Sequence, residues 1–498
     1  MRGISALLVL ACLAAAAATA DEAPEAAPAA SDAWALPAVG SCSPKGGRLS
    51  PGKPEDATPV PFQTGDVFEV DRLNVLQNYL PAFLWQERDR FFYEGMRLEI
   101  GPCFADYAAP AFFGEATERY AGKASLDEDG GLRDYAAGLP FAPSRIAPAA
   151  PDAGLHWFWN VQQRYQAGGF HGRFRVTDLV GRIGRAEPFT GEMFKLILSH
   201  RADRPAPDHE APSARGNVWV AGGLFFEPFS AREYAWRQYR SGENLVSARR
   251  SDDLHAYLPQ WRRVRRMNAN QVEGLYMPSF SVGVVPNQTL PVAGGAGDAG
   301  GVAGAASVGG DGGSSLQTKR SGYEGLEFRP NLYKAKVVGL HDVLAPINIA
   351  APVWPAAPDR DFGPWGLSFA SDRWDFRRAL VIEATQREAT GASENATQLI
   401  YVDLQTLQPL FTASFDVKGE MTNVGLFAGR WSESRSDYPR WPDDPAREVR
   451  VIDSVGAAFA NLAESGSWRR ESWENVSTPP PDADVKRMVS TGELTKRH

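Results

Sequence analysis

Gln398-Leu399-Ile400-Tyr401-Val402-Asp403, Leu404-Gln405-Thr406-Leu407-Gln408-Pro409 and Leu410-Phe411-Thr412-Ala413-Ser414-Phe415-Asp416-Val417 follow one another without a break, and this stretch decides the fold. Its flanks are rich in aromatic and β-branched residues with a two-residue period, and the six residues between them read as the connection of a hairpin. The same period recurs upstream. Met96, Leu98 and Ile100 alternate with Arg97 and Glu99, and Phe170, Gly172, Phe174 and Val176 alternate with His171, Arg173 and Arg175. Leu380 to Thr385 repeats it, as a strand with one buried and one wet face would.

Helical signals are fewer. Asp71 is placed to cap a short helix carrying Leu73, Leu76 and Leu80 and ended by Pro81, and Phe113 to Tyr120 suits another. Ser230 and Glu233 have capping-box spacing and Phe229 with Tyr234 has staple spacing, although Tyr234, Trp236 and Gln238 suit a strand equally well. The balance is a mainly β (α+β) chain, with a large, mostly antiparallel sheet and a few helices against it.

The N-terminus reads as a secretory signal peptide over residues 1–20: Met1-Arg2, an apolar run from Ile4 to Leu13, and Ala18-Thr19-Ala20 as the cleavage site. The acidic residues that follow end the run too early for a bilayer span, so a soluble protein that works outside the cytoplasm is expected. A rival reading makes Val9-Leu10-Ala11-Cys12 a lipobox with Cys12 lipidated, but it leaves a short apolar core before the cysteine. Residues 21–60, rich in Ala and Pro, read as a disordered lead. Residues 62–498 read as a single β-rich domain, with the Gly-rich stretch 292–316 as a flexible insert between two strands. With Cys12 removed, Cys42 and Cys103 remain in an oxidising compartment and are expected to pair. The chain-entropy model gives such a loop about 4 kcal/mol.

Hydrophobic residues make up 43% of the chain, enough to build a core, and the formal net charge of −8 argues against nucleic acid or an anionic membrane surface as the main partner. A Gly-x-Ser-x-Gly elbow, a phosphate loop, a His-Glu-x-x-His pair and a Cys-x-x-Cys are all missing from the sequence. Gly295-Ala296-Gly297-Asp298-Ala299-Gly300 matches the dinucleotide fingerprint only by letter, in low-complexity sequence with no strand before it. The seven histidines lack ligand spacing, and Asp127-Glu128-Asp129-Gly130-Gly131 reads as a solvated turn, so no metal and no cofactor are expected. Two clusters stand out. Trp157-Phe158-Trp159-Asn160, like Trp365 and Trp374, reads as core. Trp261-Arg262-Arg263-Val264-Arg265-Arg266 is a dense basic run in an acidic chain, either a docking surface or a strand whose arginines pair with local carboxylates.

A set of short pieces, in order, resembles one family. They are Gly65-Asp66, Tyr93-Glu94-Gly95-Met96, Glu115-Ala116-Thr117, Ala137-Gly138-Leu139-Pro140-Phe141, Trp159-Asn160 and Arg262-Arg263-Val264-Arg265-Arg266. Then come Val338-Gly339, Pro346-Ile347-Asn348, Arg373-Trp374, Val381-Ile382-Glu383-Ala384-Thr385 and Tyr401-Val402-Asp403. The family is the domain of unknown function 1329, often labelled outer-membrane lipoprotein-sorting-like and similar to the lipoprotein-carrier superfamily. The resemblance implies a strongly curved, incompletely closed antiparallel β-barrel, its mouth plugged by helices, that binds a lipid or similar apolar ligand in its concave face. It also implies a role beside an outer-membrane protein and an inner-membrane exporter of the resistance-nodulation-division type, and no catalytic residues.

The expectation is therefore a periplasmic protein, not an enzyme, that binds or shuttles a hydrophobic ligand. Met96, Leu98, Ile100, Phe174 and Val176 are its candidate inward-facing residues, and Arg262, Arg263, Arg265 and Arg266 its candidate docking surface. Two alternatives are a hydrolase or sugar-processing enzyme with carboxylates in the groove, and a structural envelope protein with a filled interior.

Overall fold

The computed structural model describes residues 33–51, 59–179, 188–207, 209–267, 274–277, 327–356, 360–388, 395–462 and 467–495. The expected signal peptide, Cys12 and the Gly-rich insert lie outside the described residues. The strands are β1 (Arg48–Leu49), β2 (Val67–Phe68), β3 (Leu98–Ile100), β4 (Ser125–Leu126), β5 (Leu132–Arg133), β6 (Gly169–Leu179), β7 (Pro188–Ile197), β8 (Asn217–Glu227) and β9 (Ala235–Ser241). They continue with β10 (Asp253–Leu258), β11 (Arg263–Met267), β12 (Tyr333–Ala345), β13 (Arg373–Gln386), β14 (Thr397–Asp403), β15 (Pro409–Phe415), β16 (Met421–Trp431), β17 (Ile452–Asn461) and β18 (Ser467–Val476). The helices are α1 (Ala82–Gln86), α2 (Arg88–Phe91), α3 (Ala111–Tyr120), α4 (Ala153–Gln162), α5 (Glu243–Val246) and α6 (Asp482–Met488).

Two meanders, β6 to β11 and β12 to β18, join through the antiparallel pair β18–β6. The result is one 16-stranded sheet whose main path runs β1-β12-β13-β14-β15-β16-β17-β18-β6-β7-β8-β9-β10-β11. Because β1 and β11 are free ends of this path, the sheet is not a closed barrel. The hairpin read at 398–417 is present as β14 and β15, paired from Thr397↔Phe415 to Val402↔Pro409. Aromatic rings settle on neighbouring glycines: a Cβ on Gly223 would stand 2.4 Å from the ring of its cross-strand partner Trp236.

Both faces of the sheet are buried, which simple alternation does not foresee. In β13, Leu380, Ile382 and Ala384 face one core, while Ala379 and Val381 face another. Likewise in β17, Ala457 and Phe459 face one side and Ala458 and Ala460 the other. Helix α4 identifies the inner face. Its Leu155 and Trp159 pack with β8 to β10, and its Trp157, Phe158 and Val161 pack with β12 to β14, so strands from opposite ends of the path meet one helix and the sheet curls around it. Hydrogen bonds close the same circle: Arg240 Nη1 donates to Phe328 O (2.9 Å) and Asn331 Nδ2 to Asn244 O (3.0 Å).

The outer face is covered by residues 62–107, with Phe62, Leu76, Leu84, Met96, Leu98 and Ile100 packed on Trp374, Phe376, Phe411 and Leu426. The disulfide Cys42–Cys103, with Cα atoms 5.1 Å apart, ties this cover to the segment before it. Several details differ from the sequence reading. Within the lead expected to be disordered, two points are docked on the body: Trp34 stacks edge-on against Trp157 at 5.0 Å, and β1 pairs with β12. Asp71 does not cap its helix but lies in the first turn of a 3-10 helix, Val70–Tyr79, that starts at Glu69. Ser230 and Glu233 do not start a helix either. The chain there makes a turn into β9, because Trp236 and Gln238 are needed on the inner face of a strand.

Candidate functional site

Helix α4 occupies the space that a carrier would offer its cargo. Nine of its ten residues are buried, only His156 being half-buried, and a helix apolar on all sides must be surrounded. Gly154 sets its approach to the sheet, since a Cβ there would lie 2.4 Å from Ala335 O and from Lys336 Cα. Asn160 fixes the opposite side, donating from Nδ2 to Phe141 O (2.6 Å) and accepting at Oδ1 from Phe141 N (3.0 Å). Trp159 Nε1 donates to Gly130 O at 3.0 Å.

The C-terminal end of α4 is held by charge. Gln162 Nε2 donates to Glu327 Oε2 (2.6 Å), and Phe328 N donates to Gln162 Oε1 (2.5 Å). Glu327 is ion-paired with Lys195 of β7, whose Nζ also donates to Gln166 Oε1 at 2.8 Å. The two side chains are only 1% and 2% exposed, so the pair is desolvated and depends on its partners. Burial pushes Lys195 down to about 8 against the pull of Glu327. Burial alone would raise Glu327, but Lys195 and Arg164 hold it below the usual carboxylate range. Arg164, itself lowered to about 10 by burial, donates to Gln408 Oε1 (3.3 Å) and Val161 O (2.9 Å). A second buried pair stands alongside, Arg240 on Asp252 at 2.9–3.0 Å, with the Arg240 guanidinium 4.6 Å from the Trp219 ring.

Next to this clasp is a cavity of about 40 Å³, lined by Phe113, Tyr165, Lys195, His200, Arg201 and Trp219 among others. It has room for water but not for an acyl chain, which needs several hundred Å³. The indole Nε1 atoms of Trp157, Trp219 and Trp236 are buried without a hydrogen-bond acceptor among the described residues. Each such orphan donor carries a desolvation penalty of about 1–3 kcal/mol.

The structure divides the five expected inward residues. Phe174 and Val176 line the inner face with Trp236 and Trp473, whereas Met96, Leu98 and Ile100 belong to the outer core. The alternation of each set is as read, but nothing local in a strand says which face of a sheet is concave. The basic run forms β11, the edge strand, where Arg266 pairs with Asp253 and Arg265 lies 4.2 Å from the Trp261 ring. Lys195 and Glu327 were missed by the sequence reading. Lys195 left a trace, a lone cation in the apolar phase of a strand after Met193, but Glu327 is 132 residues away and left none.

Carboxylates with raised pKa lie elsewhere. Burial raises Asp375 and Asp453 to about 7, the first hydrogen-bonded by the Tyr107 hydroxyl, the second by Tyr438 (2.9 Å) and Ser477 (2.5 Å). Neither lines the cavity.

Residues 88–279 match the family described as Protein of unknown function (DUF1329), so the resemblance read from the sequence is borne out over that stretch. No curated protein matches the chain. Similar solved structures include a domain named for outer-membrane lipoprotein sorting from Vibrio parahaemolyticus, at 13% identity and TM-score 0.38, covering 70% of this chain and 100% of that one. A DUF1329 family protein from Desulfovibrio piger is similar at 11% identity and TM-score 0.37, covering 66% and 92%. A LolA superfamily protein from Nitrosomonas europaea is similar at 10% identity and TM-score 0.30, covering 65% and 92%.

Proposed function

We propose that this chain carries a lipid or lipid-like ligand through the periplasm, taking it onto the inner face of the sheet when α4 is displaced. The observation that carries the reading is the inner face itself: Phe174, Trp219, Phe225, Trp236, Phe459 and Trp473 form an apolar surface, and helix α4 fills the hollow above it together with Leu132 and Leu275, Tyr276 and Met277. A ligand that replaced Trp159 and Leu155 would find the same apolar lining. Its ester or carboxyl oxygens would meet the orphan indole donors of Trp219 and Trp236. Export is expected from the signal peptide, and exporter and outer-membrane partners from the family resemblance.

The test is extraction of protein purified from the periplasm without detergent, followed by mass spectrometry against a mock purification. A stoichiometric apolar species supports the carrier and names its cargo class. An empty protein that also fails to take up fluorescent fatty acids overturns it. That outcome favours a structural envelope protein, a second reading that the filled interior itself supports.

A further inference from the structure

Leu224, Ala235, Tyr257 and Val264 form one cross-strand rung of β8, β9, β10 and β11, and Leu494 from the 3-10 turn Thr491–Thr495 packs against it. Beyond this rung the chain turns twice at the same end of the sheet, from β8 to β9 and from β10 to β11. Of the four phenylalanine and tryptophan side chains exposed among the described residues, three stand at this end: Phe226 (42%) at the end of β8, and Phe229 (90%) and Trp261 (42%) on the turns. Scattered exposed apolar residues are ordinary, but three aromatic rings gathered past one rung are a patch.

The charge around the patch is positive although the chain is acidic. Arg262 and Arg263 are exposed and have no ion-pair partner among the described residues, and Arg265 is engaged by the Trp261 ring rather than by a carboxylate. The acids at this end are Glu227, which accepts a hydrogen bond from Thr190 Oγ1, Glu233, which the adjacent Arg232 offsets, and Glu192 and Glu493, which face Arg237.

We propose that this rim docks the protein on an anionic lipid surface, with Phe226, Phe229 and Trp261 entering the headgroup region and Arg262, Arg263 and Arg265 meeting lipid phosphates. Aromatic rings beside guanidinium groups suit the interface, where one end of a group is apolar and the other wet. A side chain as exposed as Phe229 needs no shaped pocket there, as it would on a folded partner. The proposal builds on the carrier reading, since delivery at a membrane needs a contact with one, but the two fail separately.

Flotation of the exported chain with vesicles of phosphatidylglycerol and phosphatidylethanolamine, against phosphatidylcholine alone, tests it. Binding should require the anionic lipid, weaken with salt, and drop about tenfold or more in Phe226→Ser/Phe229→Ser and in Arg262→Glu/Arg263→Glu. These positions are exposed, so thermal unfolding should match that of the parent and exclude a folding defect. No vesicle binding, or binding unchanged in both variants, overturns the rim whether or not the protein carries a ligand. A docking protein that extracts no ligand overturns only the carrier.

Discussion

The two faces of the sheet are covered in different ways. On the outer face, residues 62–107 lie on strands β12 to β17 as a continuous apolar layer, with Trp374 at its centre and a disulfide at its margin. On the inner face, helix α4 shares the contact with Leu132 and with Leu275, Tyr276 and Met277, and is itself seated by a glycine at one end and held at the other by Gln162, Glu327 and Lys195. An apolar layer of that extent opens only with the whole domain. A short element held by a few polar bonds opens for less, because only those bonds and its own buried area must be given up.

Trp374→Ala tests the outer face and should have the largest effect. The ring is fully buried, packs against Phe92 at 5.8 Å between centroids, and donates from Nε1 to Phe369 O at 2.9 Å. Its loss should cost about 3–5 kcal/mol in a denaturant titration, without any gain in fatty-acid uptake. A gain in uptake would mean that the outer layer, not α4, is the gate.

Glu327→Gln tests the inner clasp. It leaves Lys195 and Arg164 buried without their anion, a loss of about 3 kcal/mol. In the pair Glu327→Gln with Lys195→Met the Lys195 charge goes with its anion and only Arg164 is left without the pull of Glu327, so part of that stability should return. A double variant as unstable as the single one would show that the clasp contributes packing rather than charge pairing.

Acidity sharpens the contrast from outside the clasp. In the folded state Asp375 and Asp453 titrate at about 7, above their ordinary value near 3.8, so the unfolded chain releases these protons first. Their stabilisation is complete below pH 4 and is lost as pH rises through 7, by an amount on the order of a few kcal/mol each. Melting temperature should therefore be higher at pH 5 than at pH 8, and Asp375→Asn should flatten that slope. An unchanged slope in this variant would place the titration on other groups.

These effects also mark how far the sequence could be read. The hairpin β14–β15 and the alternation in β6 were legible because turn chemistry and a two-residue period are local. Leu380 to Thr385 was legible as a strand but not as a doubly buried one, since its second cover comes from residues some 300 positions earlier. The run Trp157-Phe158-Trp159 announced burial, yet not that its helix would fill the hollow, and the division of Met96, Leu98 and Ile100 from Phe174 and Val176 depends on curvature. Ser230 and Glu233 carried a helix signal that lost to the packing of Trp236 beneath the inner face.

Gly154→Ala bears most directly on the comparison. Its Cβ would stand 2.4 Å from backbone atoms of β12, which cannot swing aside, so α4 or the strand must shift. Alanine otherwise favours the helix by about 1 kcal/mol over glycine, which offsets only part of an overpacking cost of about 3 kcal/mol or more against backbone. If α4 is the gate, this wedge should speed fatty-acid uptake while leaving the outer layer's protection from hydrogen exchange intact. If it lowers stability and leaves uptake unchanged, α4 is a fixed part of the core, and the inner face is as closed as the outer one.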